Sequence, residues 1–292
     1  MGFVIAMSPD ELVRDIDQLV ALPEVFIQVN HMMEQPNCSS AKLAEIISAD
    51  TDISSRLLRL VNSSMYGLRS KIDTISRAVT IAGTEELRNL VTATCAVRSF
   101  TGIPEHLINM EDYWRHGVTT GVIAKILAQQ CNVLHSERLF VAGMLHDVGR
   151  LVIYLRIPDK ATEILNITAG DEWILAEEED HYLGFNHMDV GAALMKSWQL
   201  PDSIISVIQN HHTPKRATDH IFDVSLVHIA LAIARGQMTG LSVEEMIWAI
   251  DPSIWEETGL SPENITPHVD KMLMMSLDTL KTILSPIDQK QA

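Results

Sequence analysis

The sequence predicts an all-α fold. Apolar residues recur at intervals of three and four over most of the chain, which is the period of an amphipathic helix, and long alternating strand patterns are absent. The segments with this period are separated by proline, glycine or short polar turns, which end helices. The chain has 292 residues, of which 47% are hydrophobic, so it is long enough to bury a substantial core.

The N-terminal part, residues 8–100, is expected to be a helical bundle. Ser8 can cap, and Pro9 can begin, a first helix that runs through Leu12, Ile16 and Leu19. Ser39 or Ser40 is expected to cap the third helix, and Asp52 the fourth. The later helices of this part are predicted over residues 25–34, 42–49, 53–61, 74–82 and 84–98.

Residues 101–104, with the sequence Thr-Gly-Ile-Pro, form the clearest internal boundary, because glycine and proline interrupt the helical pattern there. A second subdomain is expected over residues 105–235, and a C-terminal helical extension over residues 236–292. The extension should be helical over residues 241–286. The helices of the second subdomain are predicted over residues 110–131, 136–145, 148–155, 158–168, 171–182, 187–198, 201–211 and 222–235.

Composition limits the classes of partner. The chain carries 22 basic and 38 acidic residues and a formal net charge of −16, and such a field repels phosphate backbones and anionic lipid. Cys38, Cys95 and Cys131 form no Cys-x-x-Cys pair, which indicates a reducing compartment. The apolar segment 2–7 is too short for a signal peptide or a spanning helix. We therefore expect a cytoplasmic protein without direct nucleic-acid or membrane binding.

Histidine and aspartate provide the candidate chemistry. The chain has no glycine-rich phosphate loop, no Gly-x-Ser-x-Gly elbow and no His-Glu-x-x-His motif. Imidazole and carboxylate groups suit zinc, iron or manganese. Neighbouring residues on a helix project about 100° apart, so His146 and Asp147 can serve one ion, or Asp147 can bridge two. The six candidate ligands lie near helix ends or on separate helices: His116, His146, Asp147, His187, His211 and His212.

A series of short motifs resembles the HDOD family, the HD-related output domains of bacterial signalling. In the N-terminal half the resemblance rests on residues 22–23, 43–50 and 57–64. Five signatures follow in the family's order over the second half, and the resemblance covers residues 18–235. These five signatures occupy residues 114–116, 143–150, 184–191, 198–201 and 211–214.

The resemblance implies an HD-domain-like fold, with an N-terminal helical bundle packed on an HD-type subdomain. Related HD-domain phosphohydrolases and HD-GYP cyclic dinucleotide phosphodiesterases bind two or three metal ions through an H…HD…H…HH…D series. The six residues above occupy the matching positions, with Asp112 and His228 as weaker candidates. One or two divalent ions, iron or manganese, are therefore expected.

The departures from the family pattern concern catalysis. Leu231 stands where the closing aspartate is expected, Arg150 replaces the usual lysine, and no Gly-Tyr-Pro signature follows His212. The resulting hypothesis is a signalling output or interaction domain with a partly degenerate metal site, without efficient catalysis, that contacts a signalling protein. The alternative is a metal-dependent phosphohydrolase of a nucleotide or cyclic dinucleotide, with Asp147 and Arg150 catalytic. A third interpretation makes His146 and Asp147 a buried structural pair.

Other polar and aromatic residues are given structural interpretations. The acidic run 177–180 is interpreted as a solvated helix face, and the five tryptophans as packing anchors. The remaining histidines are predicted to lie on the surface: His31, His106, His135, His181, His220 and His268.

Overall fold

The computed structural model describes residues 7–284, apart from residues 15, 17–19, 21, 36–38, 69, 169–170 and 237–241 and the side chains of residues 172 and 173. Over these residues the chain forms helices and no strands, which confirms the all-α fold. None of the described helices is both long enough and apolar enough to cross a bilayer.

The described residues of the N-terminal part form six helices, and several of these begin beside a capping side chain. Ser8, Ser39 and Thr74 each accept a hydrogen bond from a backbone N–H in the first turn of the helix that follows. The helices are α1 (Pro9–Val13), α2 (Glu24–Met33), α3 (Ser40–Ala49), α4 (Thr51–Val61), α5 (Ile75–Ala82) and α6 (Thr84–Ser99).

Two of the predicted helix ends in this part are wrong. Helix α1 stops at Val13, because Arg14 adopts an extended conformation with ψ of 132°. Ile16 is nevertheless buried, while Leu19 and Pro36 lie outside the described residues. Helix α4 is capped by Asp50, whose side chain accepts from the N–H of Ile53 at 2.9 Å, rather than by Asp52.

The capping role falls to Asp50 because its backbone is extended, as a cap requires, whereas Asp52 is already in the first turn. The Asp52 carboxylate pairs with Arg56 and Arg98, each at 3.0 Å. An acid in the first turn also interacts favourably with the helix dipole.

Among the described residues, the second half contains eight helices, which lie within two residues of their predicted bounds, and the C-terminal extension, predicted only as a helical region, contains four. Short 3₁₀ turns occur at Pro214–Arg216 and Thr266–His268. The eight helices are α7 (Met110–Gln130), α8 (Glu137–Leu145), α9 (Val148–Arg156), α10 (Pro158–Thr168), α11 (Glu172–Leu183), α12 (His187–Ser197), α13 (Asp202–Asn210) and α14 (Ile221–Gly236). The extension contains α15 (Val243–Trp248), α16 (Pro252–Thr258), α17 (Pro262–Ile265) and α18 (Val269–Leu284).

One continuous hydrophobic core joins these helices, from Leu12 in α1 to Ile283 in α18. Helices α9 and α12 approach each other closely at Gly149, where an added Cβ would lie 1.9 Å from the carbonyl oxygen of His187 and 2.6 Å from the nitrogen of Gly191. Only glycine allows this backbone contact. The contact brings the start of α9 against the start of α12, and both carry candidate ligands.

Candidate metal centre

The turn between α8 and α9 presents His146 and Asp147 to the interior. Nδ1 of His146 lies 2.7 Å from the carbonyl oxygen of Gly143. A carbonyl oxygen only accepts, so Nδ1 carries a proton and donates it to Gly143, and Nε2 faces the site. That Nε2 lies 3.6 Å from Oδ2 of Asp147.

His187 is the first residue of α12, and Glu179 of α11 fixes its orientation. One carboxylate oxygen of Glu179 accepts from the backbone N–H of His187 at 2.7 Å and from Nδ1 at 2.6 Å. Burial alone would lower the pKa of His187, but the adjacent Glu179 carboxylate outweighs it and raises the pKa. Because Nδ1 donates to the Glu179 carboxylate, the ring presents Nε2 to the site.

The end of α13 supplies His211 and His212. Nδ1 of His211 donates to the carbonyl oxygen of Ile208 at 2.8 Å, which again leaves Nε2 towards Asp147. Burial lowers the pKa of both rings, and for His212 the neighbouring His211 adds to the effect. Both rings are therefore held in the neutral form that binds metal.

Asp147 is the centre of this arrangement. Its Oδ1 lies 3.5 Å from Nε2 of His187 and 3.6 Å from Nε2 of His211, and these three buried atoms have no hydrogen-bond partner among the described residues. Ligands that each lie about 2.1 Å from one ion stand roughly 3.0–3.5 Å apart. Buried ligand atoms at about these separations are better placed to coordinate one ion than to form hydrogen bonds with one another.

The six principal candidates predicted from the sequence form two groups that share Asp147. In each group one ligand atom from every residue lies within 4.8 Å of the others. All six are buried except His212, which is partly exposed. The groups are Asp147 with His187, His211 and His212, and Asp147 with His116 and His146.

Three other residues considered from the sequence lie outside both groups. Asp112 pairs with Arg115 at 3.2 Å and is about half exposed. Nδ1 of His228 donates to the backbone carbonyl of His211 at 2.7 Å, so His228 supports a candidate ligand. Leu231 is buried in α14 as part of the apolar interior.

Arg150 provides positive charge beside the centre. Its Nη1 lies 3.0 Å from Oδ2 of Asp147, and its Nε donates to the Tyr154 hydroxyl at 3.2 Å. Burial alone would raise the pKa of Asp147, but His146 and Arg150 outweigh it and hold that pKa well below its usual range. The carboxylate is therefore ionised, as a metal ligand must be.

Glu179 is the contributor that the sequence interpretation missed. The run 177–180 was expected to be a solvated face, yet the side chain of Glu179 is 1% exposed and contacts His187. The expectation is wrong at this position because α11 packs beside the start of α12. The run does remain exposed at Glu177 and Asp180. The six other histidines are exposed, as expected.

The fold places this protein in the class of all-helical, HD-like domains. Its His/Asp cluster has the residue types of a divalent-metal site. The family follows from the sequence, because the HDOD domain model matches residues 19–214. The chain therefore belongs to the HDOD family.

Solved structures of similar fold cover nearly all of this chain. A protein from Shewanella amazonensis SB2B, named as a proposed phosphohydrolase, superposes with a TM-score of 0.75 at 24% identity, over 93% of this chain and 97% of that one. An HDOD domain protein of unknown function from Geobacter sulfurreducens gives a TM-score of 0.73 at 21% identity, over 95% and 99%. A protein from Marinobacter aquaeolei VT8, named as a proposed signal transduction protein, gives 0.71 at 20% identity, over 96% and 62%. At these identities the likeness concerns the fold.

A curated relative, an uncharacterised protein from Treponema pallidum (strain Nichols), is 27% identical over 208 residues. The match covers 70% of this chain and 39% of the relative. The chain thus spans about two fifths of that relative's length.

Proposed function

We propose that this HDOD domain is a signalling output domain that holds one or two divalent cations, iron or manganese, and acts through its shape and surface without efficient turnover. The burial of the centre carries this proposal. His146 and His187 are each 1% exposed and His211 is 0% exposed, so these donors are sealed from solution. A phosphate ester would need direct access to them.

The role of an ion here follows from the elements that supply its ligands. Asp147, His187 and His211 come from the starts of α9 and α12 and the end of α13, and His116 comes from α7. A bound cation supplies Lewis acidity and concentrated positive charge, and these residues would hold it. The protein's own contribution is to fix each imidazole tautomer and to exclude water. Such a centre would link four helices and hold the surface that a signalling partner reads.

Metal content and turnover are measured on the same purified full chain. We expect bound iron or manganese by elemental analysis, loss of that metal in His187→Ala, and retention in His181→Ala, a matched exposed histidine on the adjacent helix. We expect no turnover of a nucleotide and cyclic dinucleotide panel by the metal-loaded chain. Absence of metal in the wild type, or turnover that Asp147→Ala removes, would refute the proposal.

Arg150 favours the alternative, a metal-dependent phosphohydrolase. A guanidinium beside a carboxylate shared by two ligand groups can hold a phosphoryl oxygen while metal ions activate water. The Shewanella protein of similar fold is named as a proposed phosphohydrolase. The turnover assay above decides between the two functions, because only the enzyme hydrolyses the panel.

A further inference from the structure

Helix α18 carries an exposed stripe that resembles the seam of a coiled coil. Asp270, Met274, Leu277 and Lys281 are exposed and follow one another at intervals of four, three and four residues. These intervals place side chains on one face of a helix and match the a and d positions of a heptad. Met274 is 72% and Leu277 is 51% exposed, so two large apolar side chains occupy the middle of the stripe.

The charges on the stripe are self-complementary in one orientation. When a second α18 runs antiparallel, Met274 lies opposite Leu277 of the second copy, and Asp270 lies opposite its Lys281. The flanking residues agree, because Lys271 then lies near Asp278 of the second copy. A parallel arrangement would place Asp270 against Asp270 and Lys281 against Lys281. Two identical surfaces related by a twofold axis therefore match in charge only when the helices are antiparallel.

The surroundings of α18 suit a docked helix. A groove of about 490 Å³, lined in part by Trp114, Leu280 and Leu284, lies along one side of the helix. A second groove of about 260 Å³, lined in part by Lys271 and Met275, lies on the other side. A helix that stands as a ridge between two grooves can interlock with an identical ridge.

The helix is also firmly held, and its outer face is electrically neutral. Arg56 donates to the carbonyl oxygen of Ile283 at 2.8 Å, and Asp278 accepts from the N–H of Ser64 at 3.1 Å. Two aspartates and two lysines balance on this face, although the chain as a whole carries −16. The charged residues of this face therefore add no net repulsion between two copies that approach here.

We propose that the outer face of α18 is a homodimer interface in which two copies of this chain pair antiparallel around Met274 and Leu277. None of the candidate metal ligands lies on α18, and the interface leaves the remaining surface available to a signalling partner.

Sedimentation velocity of the full chain tests the interface. The wild type is expected to be a dimer, and Leu277→Glu a monomer, because the substitution places two like charges at the centre of the seam. Ile27→Glu serves as the matched control, since Ile27 is 52% exposed on α2, and it should remain dimeric. Circular dichroism verifies that each variant is folded. A monomeric wild type, or a folded Leu277→Glu variant that is still dimeric, would overturn the proposal.

A charge exchange tests the orientation. Asp270→Lys and Lys281→Asp should each weaken dimerisation several-fold, because each makes both end pairs repulsive. The double variant Asp270→Lys/Lys281→Asp should recover the wild-type dimer, because the exchanged charges again face each other. If the double variant dimerises no more strongly than the single variants, the antiparallel pairing is excluded.

Discussion

At the scale of single residues, Glu179 shows how a buried carboxylate can prepare a metal ligand. It accepts from both the backbone and the ring of His187, so it fixes the position of α12 and the tautomer of the imidazole together. The same logic applies at His146 and His211, where backbone carbonyls take the place of the carboxylate. The centre therefore depends on acceptors that stand behind its ligands.

Glu179→Gln is predicted to weaken metal binding while the fold is retained. The amide is isosteric but uncharged, so the electron density on Nε2 of His187 falls, and the expected loss of affinity is about 10–100-fold. Competition titration with a chelator measures the affinity. Glu177→Gln, a change to an exposed residue of the same run, is the control. Equal affinity in the two variants would mean that Glu179 has only a packing role.

The sequence identified the histidines of the centre but not this carboxylate, for a physical reason. Histidines at helix ends in a known order form a recognisable pattern, and the six candidates do lie together. Glu179 stands among other acids, and its burial is decided by the packing of α11 on α12, which the local sequence does not encode. The same limitation explains Asp50 and Asp52, since either acid could cap α4 and the backbone decides between them.

At the scale of elements, the helices themselves were largely predictable because proline, glycine and capping residues mark their ends. Helix α10 has the predicted bounds, and α7 and α13 differ by no more than one residue at each end. The predicted end of helix α1 is wrong because the apolar spacing of the sequence continues past Arg14, where the helix ends. Tertiary packing satisfies that spacing without a continuous helix.

Gly149→Ala is predicted to disturb the metal centre through the spacing of two helices. The new Cβ would meet the backbone of His187 at 1.9 Å, so α9 and α12 must separate, and Asp147 must move away from His187. We expect a loss of about 1–3 kcal/mol in the free energy of unfolding, as for other overpacked sites. Reduced metal content in the folded variant should accompany it.

Gly191→Ala is the comparison for this experiment. Its added Cβ would lie 2.7 Å from a methyl group of Ile208, a side chain that can shift more readily than backbone, so the loss should be smaller. Urea unfolding and elemental analysis measure both effects. If the two variants proved equally stable and equally loaded with metal, the close approach at Gly149 would not control the centre.

At the scale of the whole molecule, a buried charged cluster joins the N-terminal part to the second half. Nζ of Lys125 in α7 lies 2.8 Å from Oε1 of Glu137 in α8 and 3.6 Å from the ring centroid of Tyr66 in the turn after α4. Glu86 in α6 shares a hydrogen bond with Glu137. Nδ1 of the exposed His135 lies 3.5 Å from Oε1 of Glu86. One lysine thus faces two carboxylates. Burial, followed by the contact with Glu137, raises the pKa of Glu86 to about 8.

Because of this cluster, we predict that the free energy of unfolding falls as the pH rises. Between the ordinary carboxyl value of 4.5 and about 8, the folded Glu86 keeps a proton that the unfolded chain has released, so deprotonation favours unfolding across that window. The pKa of Glu137 is lowered, so its own contribution is lost only as pH falls below the ordinary value. Urea midpoints of the wild type and Glu86→Gln, compared across the window, isolate the effect from other titrating groups. The advantage of the amide variant should grow as pH rises, because glutamine keeps the hydrogen bond without the second charge. A constant difference between the two proteins would show that no proton is held between Glu86 and Glu137.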